Sequence, residues 1–479
     1  NVAGPFGALS TMLGSLLPST ALSLFATRWG SQRSETRGVR AFTAGLMPLT
    51  LGLLLSTGWV LAQPYLASAA HRWGAVALIA FTIAVMMRTR LSPIWLVLIG
   101  MTGFGVFLPI FPFLSLHLGA TPTATTIAMG AYSLGQLMAS PLWGRLSDRI
   151  GRKPILITGL LGGVASYLWI AHAQTIYDLG AARMFGGLMA GNVGAAFAAA
   201  ADLADDKTRA RNMGILGAAV GLGFIGGPAL GALLIGHAPE RESFVLVCYI
   251  SAALAGLAAL AALVLFRESL TPEARLKTGQ PRPRRLAMLI SRPTLTRFII
   301  VMFLAIAAQA LMETTFGLWA DRELQWGPRE VGWTLAALGA GAVVLQGGGA
   351  GRAARMLGER MTLLIGLVLF AAGFAGLAVS HEVATMAASL TALVIGIGLS
   401  TPALNALIAA QAAESERGAV MGLSQSASAL GRVAGPLGAG ALFDQLGSGA
   451  PFAVAAVLII GALFVALGEP VKEAVGGTP

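Results

Sequence analysis

Residues 144–154 decide the fold, and they read Gly144-Arg145-Leu146-Ser147-Asp148-Arg149-Ile150-Gly151-Arg152-Lys153-Pro154. The stretch lies between two long apolar runs, 123–143 and 155–173. Lys and Arg accumulate on the cytoplasmic side of membrane helices, and glycines allow two backbones to approach closely. We therefore expect this stretch to form a tight cytoplasmic turn between two membrane spans.

The composition of the 479-residue chain indicates a membrane protein. Hydrophobic residues make up 56% and charged residues 11%, whereas a soluble domain carries about 25% charged residues. In hydrocarbon each apolar stretch must be a helix, because every backbone N–H and C=O needs a partner within its own segment. The 62 glycines suit helix packing in lipid, which relies on small residues. The sequence predicts an all-α polytopic membrane protein with twelve spans between residues 94 and 468, preceded by three more.

The net charge of +11 suggests nucleic-acid binding, but the placement of the cations argues against it. The loops predicted to be cytoplasmic hold most of them, including a dense run between Arg267 and Arg297, whereas the opposite loops hold Arg241, Arg322 and Arg329. This asymmetry sets the orientation of a protein in the membrane. We expect a multi-pass protein of the inner (cytoplasmic) membrane with a cytoplasmic C-terminus and no nucleic-acid partner.

The second half of the chain repeats motifs of the first half at nearly constant offsets of 207 and 208 residues. The matched positions are Gly144 with Gly351, Gly151 with Gly358, Gly223 with Gly431, and Gly227-Pro228 with Gly435-Pro436. Parallel repeats of this kind place the substrate site at mid-membrane between two halves.

We therefore expect four segments. They are a three-span N-terminal segment at 1–92, a six-helix half at 93–266, a cytoplasmic linker loop at 267–296, and a second six-helix half at 297–470.

Several motifs resemble those of a known transporter family. The spacing of glycine, aspartate and cations in 144–153 resembles the loop between spans 2 and 3 of the major facilitator superfamily. Gly223–Gly231 on the fifth predicted span resembles the antiporter motif of drug:proton exporters, and Arg183-x3-Gly187 on the fourth resembles their membrane-embedded arginine motif. Asp202 resembles the end of the fourth span in the tetracycline-efflux group. The resemblance covers residues 94–468. It implies the twelve-helix fold of two six-helix halves, and proton-coupled efflux of a drug-like, amphipathic small molecule by alternating access.

The resemblance also assigns roles to residues. The implied cytoplasmic gate motif comprises Gly144, Asp148, Arg149, Gly151, Arg152, Lys153 and Asp202. The implied antiporter motif comprises Gly223, Gly227, Pro228 and Gly231. We expect the gate motif to latch the two halves through Asp202 and the start of the eleventh span near Met421. Because a proline bends a helix and glycines let neighbours pass closely, the fifth span could seal one face of the pore; the alternative is a packing role alone.

Glu313 is the acid that falls well inside a predicted span, 297–320. An intramembrane carboxylate is energetically expensive and therefore a candidate functional group, so we expect it to carry the coupled proton. Gln309 lies one turn earlier on the same face. Arg183 and Arg432 are the predicted buried cations, and Arg183 could act on Glu313 if the halves bring them together. The alternative is a glutamate that a neighbouring helix satisfies and that has no role. The residues expected to line the substrate pathway are Arg183, Asn192, Gln309, Gln346, Asn405 and Gln425.

Residues 1–92 do not fit the twelve-span plan. The stretches Gly4–Ser19 and Arg40–Gly45 resemble the later part of a chromate ion transporter unit, but the Pro-Gly-Pro motif and the Phe-Gly-Gly segment of that family are absent. We expect a remnant of a truncated or fused gene that serves as an accessory membrane anchor. The alternative is an anion transporter, of the chromate or sulfate type, in which these spans are functional.

Other classes of function have less support. The sequence contains no paired carboxylates, catalytic triad or metal-ligand cluster, so we expect no enzyme, no cofactor and no metal. A non-transporting membrane sensor or assembly factor on the same fold stays open. The expected partners are a small-molecule substrate, protons and the lipid bilayer, and the protein is expected to act as a monomer.

Overall fold

The computed structural model describes residues 92–190, 192–202, 209–236, 239–270, 288–289, 291–412 and 416–468. Every regular element within these ranges is a helix. The three spans predicted in 1–92 and most of the predicted linker lie outside the described residues.

The helices form twelve spans. In the first half they are span 1 (Ser92–Phe107 and Phe111–His117), span 2 (Pro122–Ile150), span 3 (Arg152–His172), span 4 (Ile176–Met189 and Asn192–Asp202), span 5 (Arg209–Ile235) and span 6 (Arg241–Leu265). In the second half they are span 7 (Pro293–Leu324), span 8 (Pro328–Val344, the π-helical Leu345–Gly349, and Ala350–Leu357), span 9 (Glu359–Ala378), span 10 (Val383–Ala410), span 11 (Arg417–Leu446) and span 12 (Ala450–Leu467).

Ten of these spans are long and apolar enough to cross a membrane. The other two, spans 2 and 11, contain 29 and 30 residues and pack against each other between the halves. The all-α polytopic fold predicted from the sequence is confirmed.

The predicted turn at 144–154 is almost entirely helical, so its prediction as a loop was wrong. Span 2 continues to Ile150 and span 3 begins at Arg152, which leaves only Gly151 between them. Charged residues can occupy the last turns of a membrane helix because these turns reach beyond the hydrocarbon. Gly151 has φ +114°, and Gly358 between spans 8 and 9 has φ +78°. Side chains disfavour this left-handed region, which explains why the repeat retains a glycine at both positions.

The glycines of span 5 bring its backbone against span 1. A Cβ added at Gly227 would lie 2.5 Å from the Cα of Gly105, and one at Gly231 would lie 2.6 Å from the carbonyl oxygen of Val106. Gly223 faces the same helix. In lipid, close backbone approach of this kind is a main source of helix association. The antiporter motif therefore has a clear packing role.

Span 11 packs on span 7 in the same way. A Cβ at Gly431 would lie 2.9 Å from the carbonyl oxygen of Phe303, and one at Gly435 would lie 2.7 Å from that of Ala307. The glycine repeat in the sequence thus corresponds to a repeated helix contact, span 5 on span 1 and span 11 on span 7.

The two halves meet mainly away from Gly151. We call the end of the bundle that contains Gly151 the motif end and the other the opposite end. A Cβ at Gly332 of span 8 would lie 2.9 Å from the carbonyl oxygen of Pro228, and one at Gly130 of span 2 would lie 2.9 Å from Pro436 of span 11. Towards the motif end, span 2 instead exposes large apolar side chains such as Leu142. The cleft between the halves therefore opens towards the motif end.

Gly227→Ala should destabilise the folded protein by about 1–3 kcal/mol, the usual range for overpacking. The added methyl would meet backbone atoms of Gly105 and Thr102 at 2.5–2.7 Å, and backbone cannot rotate away. The matched control is Gly226→Ala, whose Cβ meets nothing within 4 Å. The control should be neutral or slightly stabilising, because alanine favours a helix over glycine by about 1 kcal/mol. Thermal unfolding of the detergent-purified variants measures both, and equal melting temperatures would contradict the packing role.

Candidate functional site

Arg152 is the centre of an ionic cluster at the motif end. Its Nη1 lies 2.7 Å from Asp148 Oδ1 and donates to Ser147 Oγ at 3.0 Å, and its Nε lies 3.0 Å from Asp202 Oδ2. The Arg152 side chain is only 10% exposed. A buried ion pair offsets the loss of hydration only when its donors are also satisfied, and these partners bind the Nε and Nη1 donors. The cluster joins spans 2, 3 and 4.

Glu268, just after span 6, adds a fourth segment to this cluster. Its carboxylate accepts hydrogen bonds from the backbone N–H of Arg152 at 2.8 Å and of Lys153 at 3.1 Å. The first N–H groups of a helix lack intrahelical partners and form its positive end, so a carboxylate stabilises span 3 there. Lys153 Nζ in turn donates to the carbonyl oxygen of Leu263 at 2.7 Å.

The second half contains a related contact. Arg360, 207 residues after Lys153, donates through Nη2 to the carbonyl oxygens of Leu467 at 3.1 Å and Gly468 at 3.3 Å. A cation at the start of span 9 thus caps the end of span 12, as Lys153 caps the end of span 6.

The partners of Arg152 described above belong to the first half or, in the case of Glu268, to the residues directly after it. In this conformation the cluster joins spans 2, 3 and 4 to the segment that follows span 6. Gly144 and Arg149 of the same motif are exposed, and a Cβ at Gly144 would meet nothing within 4 Å. The predicted latch between the halves near Met421 stays a prediction.

Arg183 of span 4 lies inside a cage of aromatic rings. Its guanidinium carbon is 4.6 Å from the ring centroid of Tyr132 and 5.5–5.6 Å from those of Phe104, Phe107 and Phe111. The residue is 6% exposed, and its Nε is buried without a hydrogen-bond partner. Desolvated cation–π contacts stabilise a charge by about 2 kcal/mol or more, so the rings partly replace the lost hydration.

Gly187 explains the spacing of the arginine motif. A Cβ at Gly187 would overlap the carbonyl oxygen of Tyr132, and a Cβ at Gly135 would lie 2.5 Å from that of Met184. Spans 2 and 4 therefore touch backbone to backbone one turn after Arg183. This contact places the Tyr132 ring against the guanidinium.

Glu313 and Gln309 of span 7 are paired, as the sequence predicts from their spacing. Gln309 Nε2 donates to Glu313 Oε1 at 2.8 Å, and both residues are half-buried. One turn further, a Cβ at Gly317 would lie 3.0 Å from Pro112 of span 1, so this face of span 7 points to the first half. Among the described residues, no hydrogen bond or ion pair joins Glu313 to Arg183.

The other predicted pathway residues have varied surroundings. Gln346 is exposed in the π-helical segment of span 8, a kind of turn that is frequent at functional sites. Gln425 is exposed on span 11 and Asn405 is half-buried on span 10. Asn192 begins the second helix of span 4, and its side chain lies outside the described part of the structure. Arg432 is exposed, so the prediction that it is buried was wrong: it lies on a helix face that the neighbouring half covers only nearer the opposite end.

A polar contact joins the halves at the opposite end. Asp444 of span 11 accepts hydrogen bonds from the backbone N–H of Thr123 at 3.1 Å and from its Oγ1 at 2.5 Å. Gly440 lies against the backbone of Thr123, where a Cβ would clash. Because Thr123 is in the first turn of span 2, the carboxylate meets the positive end of a helix of the other half.

The family of the chain follows from a comparison with family models. Residues 94–321 and 298–479 match the model of the Major Facilitator Superfamily. The chain belongs to the Major Facilitator Superfamily. It is therefore a membrane transporter by family, as the motif resemblance predicts.

Individual relatives of the chain are resistance proteins by name. The chain is 31% identical over 353 residues to the class G tetracycline resistance protein of Vibrio anguillarum, which covers 71% of this chain and 87% of that protein. It is 29% identical over 380 residues to multidrug resistance protein 2 of Bacillus subtilis (strain 168), with 76% and 91% covered.

Solved structures show the same superfamily fold. The human organic anion transporter MFSD10 (TETRAN) aligns with a TM-score of 0.59 at 22% identity, over 80% of this chain and 99% of that chain. The nucleoside transporter NupG aligns with a TM-score of 0.63 at 14% identity, over 79% and 98%.

Residues 1–106 match the chromate transporter family. The predicted resemblance of the N-terminal segment is confirmed, and the match extends beyond that segment into span 1.

Sequence reasoning missed several residues of this transporter's site. Glu268 had a visible signal, since it is an acid next to a strongly basic linker. The stripe of Phe104, Phe107 and Phe111 has helical spacing on one face of span 1, but only the fold brings it to Arg183. Asp444 carries no local signal in the sequence, because its partner Thr123 is 321 residues away in the chain.

Asp444→Ala should weaken the contact between the two halves at the opposite end, because it removes the acceptor of two hydrogen bonds from Thr123. Spin labels at Tyr177 and Val379 are suitable probes, since these residues are 83% and 74% exposed at the opposite end of the first and second halves. In a Cys248→Ser background, the variant should show a new population at longer label separation. Asp178→Ala is the control, because Asp178 bonds locally to Thr175. The same distance distribution in both variants would show that Asp444 does not hold the two halves together at the opposite end.

Proposed function

We propose that this superfamily member is a proton-coupled exporter. It would move an amphipathic, drug-like small molecule out of the cell while a proton enters, by alternating access between the two halves, and it would act as a monomer. The named relatives support this class of function, since the tetracycline and multidrug resistance proteins cover most of the twelve-span unit.

The motif end is assigned to the cytoplasm because Arg145, Arg149, Arg152 and Lys153 cluster there. Positive residues mark the cytoplasmic side of membrane proteins. With this orientation the described conformation is open to the cytoplasm, the state in which an exporter takes up its substrate. The protein would lie in the cytoplasmic membrane with its C-terminus inside.

The observation that carries the proposal is the Gln309–Glu313 pair on the face of span 7 that points to the first half. An acid at the centre of a membrane helix costs about 3 kcal/mol. A hydrogen bond to a charged group contributes about 1.5–3 kcal/mol, so Gln309 can offset this cost while the cleft is open. A proton that arrives from outside would neutralise the Glu313 carboxylate before the cleft closes to the outside and opens to the cytoplasm. The carboxylate would then release this proton on the cytoplasmic side.

The Arg152 cluster would act in the same cycle at the motif end. When the halves approach there, Asp148, Arg149 and Arg152 would meet the start of span 11 near Met421. The intact network with Asp202 and Glu268 presents spans 2 and 3 as one rigid surface for that contact. The glycine contact of span 5 with span 1 would let the first half turn as a unit.

An anion transporter of the chromate type is the second candidate, because residues 1–106 match that family. Chromate flux that disappears on deletion of residues 1–90, with drug efflux retained, would assign that activity to the N-terminal segment. A non-transporting sensor is the third, and it would retain signalling in variants that show no flux of any substrate.

Glu313→Gln should abolish uphill transport, because the amide keeps the shape and the hydrogen bonding but cannot bind a proton. In inverted membrane vesicles with an imposed pH gradient, tetracycline accumulation should fall to the level of empty vesicles. Downhill movement of the same probe should continue.

The matched control is Glu330→Gln. Glu330 accepts the backbone N–H of Gly327 at 3.0 Å and caps span 8, and a glutamine can serve in the same capping position. This variant should accumulate the probe at the wild-type rate. If Glu313→Gln also does so, the coupled proton binds elsewhere.

A further inference from the structure

We infer that the substrate of this exporter is an amphipathic organic anion, whose acidic group binds between Arg183 and Arg432 beside Tyr132. The inference rests on the proposed export function and adds the charge class of the molecule that is exported.

Arg183 provides the first half of the site. Its guanidinium is enclosed by four aromatic rings, and its Nε is buried without a hydrogen-bond partner. Ring faces attract a cation but leave its N–H donors unsatisfied, and a buried unsatisfied donor is unfavourable. Carboxylates and sulfonates match the fork of guanidinium donors. The missing partner is therefore an anionic oxygen.

Arg432 provides the second half from across the cleft. Spans 2 and 11 run antiparallel with a fixed register. The paired positions are Asp444 with Thr123 and Pro436 with Gly130. Continuing this register by one turn places Arg432 at the level of Leu134, two residues from Tyr132. Arg183 lies against the Tyr132 ring from span 4, so the register brings one cation from each half to the same level of the cleft.

Among the described residues, no acid forms a hydrogen bond or ion pair with Arg183 or Arg432, which leaves this pair with excess positive charge. In the first half, Asp148 and Asp202 bind Arg152 at the motif end, and the Asp178 carboxylate accepts a hydrogen bond from the Thr175 hydroxyl at the start of span 4. Glu313 is held by Gln309. A cationic drug would meet two like charges in this part of the cleft, whereas an anion would neutralise at least one of them.

Aromatic side chains supply a surface for the apolar part of the molecule. Phe104 lies 5.2 Å from Tyr132 and 6.0 Å from Phe224 of span 5 between ring centroids. All three are half-buried, so they border the cleft while Phe107 and Phe111 form the buried back of the cage. Arg432 is exposed, and an anion entering from the motif end would meet it before Tyr132 and Arg183.

Binding of two isosteric probes tests the inference. Naphthalene-2-sulfonate carries a negative charge, and naphthalene-2-sulfonamide has nearly the same shape without it. Isothermal titration of the full chain in lipid nanodiscs should give at least tenfold tighter binding of the sulfonate, a difference of about 1.4 kcal/mol. Arg183→Gln and Arg432→Gln should each remove most of this preference and leave sulfonamide binding unchanged.

Arg322→Gln is the control variant. Arg322 also lies over an aromatic ring, 5.7 Å from the centroid of Phe443, but at the opposite-end terminus of span 7. It should retain the preference for the sulfonate. Because Arg432 is exposed, its replacement should not disturb folding, and the Arg432→Gln result stands even if Arg183→Gln elutes as aggregate in size exclusion.

Equal affinity for the two probes, or an unchanged preference in Arg432→Gln, would overturn the inference. Ethidium accumulation in vesicles separates this failure from failure of the proposed function. Wild-type protein that accumulates ethidium but does not prefer the sulfonate would remain an exporter with a different substrate charge. If the protein prefers the sulfonate and this preference depends on Arg432, but the protein transports neither the sulfonate nor ethidium, the anion site stands and the export proposal fails.

Discussion

Contact between helix backbones at glycines is the constraint on which the rest of this structure depends. Lipid provides no hydrophobic force between two apolar helices, so association relies on close van der Waals packing at small residues. Gly227 permits the contact of spans 1 and 5, Gly187 that of spans 2 and 4, and Gly435 that of spans 7 and 11. Each contact is backbone to backbone and cannot relax by rotation of a side chain. Each contact therefore fixes the distance between the two helices that it joins.

These contacts also position the charged groups. The approach of span 2 to span 4 sets Tyr132 against Arg183, and the single-residue turn at Gly151 brings Arg152 within reach of Asp148 on the preceding helix. A charge in a membrane protein is costly unless its surroundings are fixed. In both places a glycine lies within four residues of the arginine: Gly187 provides a close helix contact, and Gly151 provides the left-handed turn.

The sequence predicted the features that arise from local pattern. Apolar runs predicted the helices, and the repeat corresponds to paired left-handed turns at Gly151 and Gly358. The pairing of Gln309 with Glu313 follows from helical spacing alone. Long-range partners could not be predicted, since Asp444 and Thr123 are 321 residues apart. The sequence also misplaced the predicted ends of spans 2 and 3, because charged helical turns that lie beyond the hydrocarbon have the same hydropathy as loops.

Proton movement driven by substrate is the most direct test of the proposed cycle. Inverted vesicles that contain the full chain can be energised until their interior is acidic, and the gradient can be followed with a pH-sensitive dye. If uptake of the substrate and release of the proton are coupled, addition of a transported substrate should partly collapse the gradient in wild-type vesicles. Vesicles without the protein should show no response. Uptake of the substrate at a steady pH gradient, with no proton efflux, would contradict the account.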